Sequence, residues 1–284
     1  MEAAFFDLDK TVIAKASMVA FGGPLRRAGM IDRRLLAKAV WSGLVFRYLG
    51  ADEERMLRFR ESALRITKGW DRTLVGALVA DTLPDVIEPI IFDEALTLIR
   101  EHRAAGRRVY LVSASPEEIV EPLGQFLGVD ASIASRARVD DAGRYTGEVD
   151  FYAYGPFKVD AIEAVAERDG IDLEASYAYS DSATDLPMLG RVGHPVAVNP
   201  DRALAREARA RGWEIRQFRT IVPLGDRVPI PGPGRVAITA AALAGASVGA
   251  MAGWWALRRR RAPTGRRRPA RHRRAGRVRR PGAS

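Results

Sequence analysis

Asp7 and Asp9 lie one residue apart, and the hydroxyl of Thr11 follows two positions later, in the run Phe5-Phe6-Asp7-Leu8-Asp9-Lys10-Thr11. In extended chain, side chains two apart point the same way, so both carboxylates can reach one substrate atom. That spacing makes the trio a candidate for phosphoryl-transfer chemistry. Acidic residues also close many strands, so the trio alone leaves a bland structural reading open.

The elements that would position these residues come next. Ala3 to Phe6 is short, apolar and aromatic-rich, as suits a buried strand of a parallel sheet. Open α/β sheets bind ligands beyond the carboxyl ends of their strands, which is where Asp7 and Asp9 would fall. Arg107 to Val112 reads as a second apolar strand, ending in Ser113 at the same rim, and Ala114-Ser115-Pro116-Glu117-Glu118 as a helix start. Gly155-Pro156-Phe157-Lys158 opens a helical pattern with Lys158 in its first turn. Tyr177 to Ser180 reads as a third strand, followed by Asp181 and Asp185, four residues apart. Separately, Ser113 reads as a helix cap, Lys158 as a surface lysine and the two aspartates as caps. Their joint occurrence in this order is improbable by chance.

The four segments together resemble the motifs of the haloacid dehalogenase superfamily, specifically its subfamily IB hydrolases, the branch that includes phosphoserine phosphatases. The resemblance covers roughly residues 1 to 215. It implies an α/β fold, a Rossmann-like doubly wound parallel sheet with a helical cap inserted after the first strand. It implies Asp7 as the nucleophile that forms an aspartyl-phosphate, and Asp9 as the acid for the leaving alcohol and then the base for water. Thr11, Ser113 and Lys158 would bind the phosphate, with Lys158 also neutralising charge around the nucleophile. Mg²⁺ would be held by Asp7, the Asp9 backbone carbonyl and Asp181, with Asp185 as a further ligand or as support.

The chemistry asks for these residue types on its own terms. A carboxylate nucleophile divides one hard displacement into two easier ones, and its approach to an anionic phosphate requires a neutralising cation. A positioned second carboxyl contributes roughly 10²- to 10⁴-fold. The chain has no cysteine and only His102, His194 and His272, so thiol or imidazole nucleophiles are poor rivals; His194, ahead of a short strand, reads as structural.

Residues 12–88 exceed a minimal strand-helix repeat and read as the helical cap, with helical patterns from Asp32 and from Asp52. Arg58, Arg60, Arg65, Lys68 and Trp70 are cap contacts or solvated helix faces. Residues 1–11 and 89–222 read as the catalytic core, including a helix from Asp93 to Arg103, a hairpin around Asp140-Asp141-Ala142-Gly143, a helix capped by Asn199-Pro200-Asp201 and running through Arg211, and an edge strand from Trp213 to Phe218. Five positions depart from phosphoserine phosphatases. Ala16 stands where a glutamate meets the serine ammonium, Lys10 replaces a small residue, Ser113-Ala114-Ser115 replaces Ser-Gly-Gly, and Thr184 replaces an asparagine. A missing charged partner discriminates strongly against its ligand, which argues against phosphoserine. The expected reaction is phosphomonoester hydrolysis on a small phosphorylated metabolite or lipid headgroup. A phosphotransferase, and a membrane-tethered binding or regulatory protein of the same fold, are the alternatives.

Residues 223–235 read as a Pro/Gly linker. Val236 to Leu257 is an uncharged run of 22 residues, about 33 Å as a helix, and is a candidate transmembrane span. Gly245, Gly249 and Gly253 have the spacing of close helix pairs, a possible homodimer seam. Residues 258–284 carry 13 arginines and no acid, leaving 32 basic against 35 acidic residues elsewhere, so the formal charge of +10 belongs to the tail. Such a tail is expected to be disordered and to bind anionic headgroups; no folded motif or interleaved aromatics supports nucleic acid. The expected location is the cytoplasmic face of a membrane, with the catalytic domain in the cytoplasm because no leader precedes Asp7. The positive-inside rule pulls the other way, since it keeps the arginine tail inside.

Overall fold

The computed structural model describes residues 1–31, 61–62 and 64–221, all within the unit Met1–Arg227. The expected helices from Asp32 and Asp52, Arg58, Arg60, the linker, the apolar run and the arginine tail lie outside the described residues. Among the described residues, no helix is long and apolar enough to cross a membrane.

The described strands form one sheet. They are β1 (Ala3–Asp7), β2 (Arg108–Pro116), β3 (Ala131–Val139), β4 (Tyr145–Phe151), β5 (Tyr177–Ser180), β6 (His194–Val198) and β7 (Glu214–Arg216). Their order is β4-β3-β2-β1-β5-β6-β7, and every pairing is parallel except β3 with β4. The chain builds outward from β1 first through β2 and then, on the other side, through β5. The carboxyl end of β1 is therefore the switch point where such sheets bind ligands, and Asp7 is the last residue of that strand.

β1 is buried along its whole length, and its alternating side chains anchor both faces. Phe5 stacks on Tyr110 with centroids 5.2 Å apart, in a core that includes Ile162, Ala166, Met188, Leu189 and Leu204. These come from α6 (Pro156–Asp169), α7 (Leu186–Leu189) and α8 (Arg202–Arg211). Phe6 points the other way, stacking on Tyr179 at 4.3 Å beside His102 of α4 (Asp93–Ala104). Truncating either phenylalanine would cost about 3–5 kcal/mol.

The insertion leaves and rejoins the core through one narrow neck. Ala14 N–H donates to the Ile90 carbonyl at 2.7 Å and Phe92 N–H to that of Val12 at 3.0 Å, so residues 12–14 and 90–92 run side by side. Beyond the neck come the short helices α1 (Ser17–Ala20) and α2 (Gly22–Arg27), and later α3 (Arg72–Ile87). Asp71 caps α3 by accepting the N–H groups of Thr73 and Leu74. The β3–β4 hairpin appears where the Asp140–Gly143 turn signal placed it, and its second strand is bound to the insertion. Tyr145 N–H donates to the Trp70 carbonyl and Gly69 N–H to that of Tyr145. Lys68 packs over Gly147. Arg72 then bridges to Glu117 at 2.6 Å and Glu118 at 3.0 Å in the first turn of α5 (Glu117–Leu127).

The remaining expected elements form close to their sequence positions. The helix from Asp93 runs to Ala104, the helix capped by Asp201 spans Arg202–Arg211, and Glu214–Arg216 is an edge strand. His194 opens β6 and stacks on Tyr177 at 4.5 Å.

Candidate active site

Asp7 emerges at the end of β1 into a turn held by the Leu8 carbonyl, which accepts from the N–H groups of Thr11, Val12 and Ile13. Lys10 takes a left-handed φ of +65° in that turn, a conformation most side chains resist and one that recurs at functional sites. The turn brings Thr11 back over the strand end, where its hydroxyl donates to Asp7 Oδ2 at 3.3 Å. Thr11 is fully buried.

Lys158 arrives from the first turn of α6, whose start is set by Gly155 at φ +56° and Pro156 at the first helical position. Its ammonium donates to Asp7 Oδ1 at 2.7 Å and to Asp185 Oδ2 at 2.8 Å. The lysine side chain is only 3% exposed. Burial would pull its pKa down, but Asp185 and Asp7 outweigh burial and hold it above the ordinary lysine value. The ammonium is therefore a fixed positive charge. Asp185 is itself fixed by Ser180, whose hydroxyl donates to the same Oδ2 at 2.7 Å.

Asp7 sits in a contest of effects. Burial raises its pKa most, Lys158 opposes, Asp185 and Asp9 add to the rise, and the balance of these effects is about 7. Asp181, just past β5, is also raised well above the carboxylate range, first by burial and then by Asp7, with Lys10 opposing. Lys10 Nζ lies 3.8 Å from Asp181 Oδ2 and is mostly exposed. Asp7 and Asp181 thus form a carboxylate pair that stays partly uncompensated by protein cations, an environment that favours a bound divalent cation.

Asp9 is held differently. Its Oδ1 accepts the Ser17 backbone N–H at 2.5 Å, and its Oδ2 accepts the Ser115 hydroxyl at 3.0 Å. Ser113, 1% exposed, accepts the Ser115 N–H at 3.1 Å, where the β2–β3 register shifts between Ser113 and Pro116. Hydrogen bonds, ion pairs and mutual electrostatic influence therefore link Asp7, Asp9, Thr11, Ser113, Lys158, Asp181 and Asp185 at one rim.

Ser17, Ser115 and Ser180 as holders of these carboxylates carry no local sequence signal. Each is a common residue whose role depends on a contact across the fold. Among the cap residues, Arg65 donates to Ser62 in an exposed contact, Lys68 lies on the hairpin, and Trp70 pairs with it through its carbonyl.

A family model described as haloacid dehalogenase-like hydrolase matches residues 4–190. The chain belongs to the haloacid dehalogenase-like hydrolases. Within this family, a probable phosphatase from Mycobacterium tuberculosis is 48% identical over 84% of this chain and 83% of its own. A phosphoserine phosphatase from the same species is 34% identical over 81% and 74%. A Streptomyces azureus protein named for inhibition of morphological differentiation is 50% identical over 91% and 94%. Among solved structures, a Bordetella pertussis protein of unknown function aligns with a TM-score of 0.64 at 30% identity, covering 76% of this chain and 97% of that one. Substrate-bound phosphoserine phosphatase aligns at 0.56 with 20% identity, a likeness of fold, covering 78% and 94%. The expected family, fold and enzyme class, a phosphatase-type hydrolase, all stand.

As a haloacid dehalogenase-like hydrolase the chain is expected to use Mg²⁺, and its donor set fits. Among the described residues no three His, Cys, Asp or Glu side chains converge as a ready-made metal cluster. Mg²⁺ does not need one, because it keeps several waters and takes one or two carboxylates plus substrate oxygens. Asp7 and Asp181 supply that number. Asp185 Oδ2 already accepts from Lys158 and Ser180, which favours the supporting role for Asp185.

Proposed function

We propose that the chain is a Mg²⁺-dependent phosphomonoester hydrolase acting through an aspartyl-phosphate on Asp7. The observation that carries this reading is the buried contact of Asp7 with Lys158 at 2.7 Å, at the switch point of the sheet, with Asp9 separately held two residues on. One Asp7 oxygen attacks phosphorus while Lys158 balances charge around the nucleophile and the transferring group and Thr11 donates a hydrogen bond to the phosphoryl oxygens. Asp9 gives its proton to the departing alkoxide, then takes one from the water that cleaves the acyl phosphate. Ser113 offers a further hydroxyl to the phosphoryl oxygens. Asp7, Asp181 and the Asp9 carbonyl would hold Mg²⁺, which when bound supplies charge neutralisation at the phosphate.

The substrate reading is a small phosphorylated metabolite or lipid headgroup whose leaving group needs no ammonium partner. Ala16 precedes Ser17 at the start of α1, beside Asp9, and offers no charge there. Association with a membrane through residues 236–257 and the arginine tail, with the catalytic domain in the cytoplasm, belongs to the same proposal. A binding or regulatory role remains the second reading, favoured by the name of the 50% identical relative.

The experiment is phosphate release from a panel of phosphomonoesters with and without Mg²⁺, beside Asp7→Asn. Mg²⁺-dependent release abolished by the substitution supports hydrolysis. A folded protein that releases nothing from any ester moves the regulatory reading forward.

A further inference from the structure

Two parts of the chain meet on Asp9. The Ser17 N–H on Oδ1 comes from the first residue of α1, inside the insertion. The Ser115 hydroxyl on Oδ2 comes from the extended end of β2 in the core. The two serine hydroxyls lie 2.7 Å apart. A hydroxyl has one proton to donate. Ser115 gives its proton to Asp9, so Ser17 Oγ must donate to Ser115 Oγ, and the pair forms a directed chain ending on the carboxylate. Hydrogen bonds in such a chain polarise one another.

Both serines are buried, Ser17 at 0% and Ser115 at 5% exposure. A buried hydroxyl without a partner is costly, so these two hydroxyls are each other's requirement as well as Asp9's. The second of the four segments reads Ser113-Ala114-Ser115 here, where phosphoserine phosphatases have Ser-Gly-Gly. The hydroxyl at 115 is thus a feature of this chain and not of the motif it resembles.

We infer that Ser115, backed by Ser17, is the positioning residue for Asp9. It arrests rotation of the carboxyl, so that the group faces the leaving oxygen before substrate arrives, and it couples that orientation to the first helix of the insertion. The inference rests on the acid–base role proposed for Asp9.

The test measures kcat/KM for phenyl phosphate and p-nitrophenyl phosphate with the full chain and Mg²⁺. This parameter reports steps up to phosphoryl transfer onto Asp7. Phenolate is about as basic as tyrosinate, with a pKa of about 10, and needs a proton as it leaves; p-nitrophenolate is a weaker base and needs it less. Ser115→Ala should lower kcat/KM for phenyl phosphate about tenfold and shift the ratio between the two esters by about fivefold. Ser17→Ala keeps the backbone N–H, should shift the ratio the same way by less, and gives the reading if Ser115→Ala does not fold. Asp9→Asn sets the full size of the shift. If Asp9→Asn shifts the ratio and neither serine variant does, the positioning role is overturned while the acid–base reading stands. If Asp9→Asn leaves the ratio unchanged, the acid–base assignment fails and the serine role with it.

Discussion

Asp7 and Asp9 are two residues apart, yet their surroundings differ in kind. Asp7 accepts from a buried ammonium and lies in the field of Asp185, Asp9 and Asp181. Asp9 accepts from a backbone N–H and a serine hydroxyl, both neutral. A nucleophile that must meet an anionic phosphate benefits from a fixed positive charge beside it. A group that must both give and take a proton needs its carboxyl oriented, and the two donors on Asp9 hold that orientation without placing a cation against it. One short turn therefore delivers two carboxylates to two environments, and the division of labour follows from the environments.

Substitutions should break this comparison in order of size. Asp7→Asn should lower phosphate release at least about 10⁴-fold, since the covalent route is lost as a unit. Lys158→Met should follow closely, about 10³-fold in kcat/KM, because a preorganised charge at the transferring group is gone. It should also lower unfolding stability by about 3–5 kcal/mol in denaturant titrations, as Asp7 and Asp185 are left facing each other without their shared cation. Asp9→Asn should cost about 10²- to 10⁴-fold in kcat/KM on phenyl phosphate and far less in kcat/KM on p-nitrophenyl phosphate. If Lys158→Met and Asp9→Asn instead show the same dependence on leaving group, the two environments are not doing different jobs.

Ala16→Glu sharpens the substrate side of the comparison. It restores a carboxylate next to Ser17, and kcat/KM for phosphoserine should rise at least about tenfold while neutral esters gain nothing. A smaller effect concerns the scaffold behind β1. His102 is buried, with its Nε2 2.8 Å from the Tyr179 hydroxyl, and burial, aided by Arg107 and Arg216, holds its pKa down to about 4. The folded value lies below the unfolded one near 6.5, so the unfolded chain binds the extra proton as pH falls. Stability is fully present above about pH 6.5 and should drop by about 2–3 kcal/mol toward pH 4. His102→Leu should flatten that part of the stability profile.

The strands, their order along the chain and the candidate rim positions were legible in the sequence where a local signal marks them: Asp7, Ser113 and Asp181 lie at or past the ends of apolar runs, and Lys158 lies at a helix start. Phe5 and Phe6 mark β1, Val109 to Val112 mark β2, and Gly155-Pro156 marks the start of the helix that carries Lys158. What escaped were contacts closed through space. Ser17 reaches Asp9 across an irregular turn, and Ser115 reaches it from 106 residues away. Glu117 and Glu118 read as an ordinary helix start, yet both are buried against Arg72, 45 and 46 residues earlier. No local periodicity encodes such pairings. The hairpin was visible from its turn, but its hydrogen bonding to Gly69 and Trp70 of the insertion was not.

The most direct test of the division between Asp7 and Asp9 uses Asp9→Asn with p-nitrophenyl phosphate and Mg²⁺, quenched in acid and read by peptide mass spectrometry. The leaving group here scarcely needs an acid, whereas the water step lacks its base, so the covalent enzyme should accumulate. The expected result is one added phosphoryl group on the peptide carrying Asp7, absent from the Asp7→Asn, Asp9→Asn double variant. Release of p-nitrophenolate by the single variant with no adduct, or with an adduct elsewhere, would contradict Asp7 as the nucleophile.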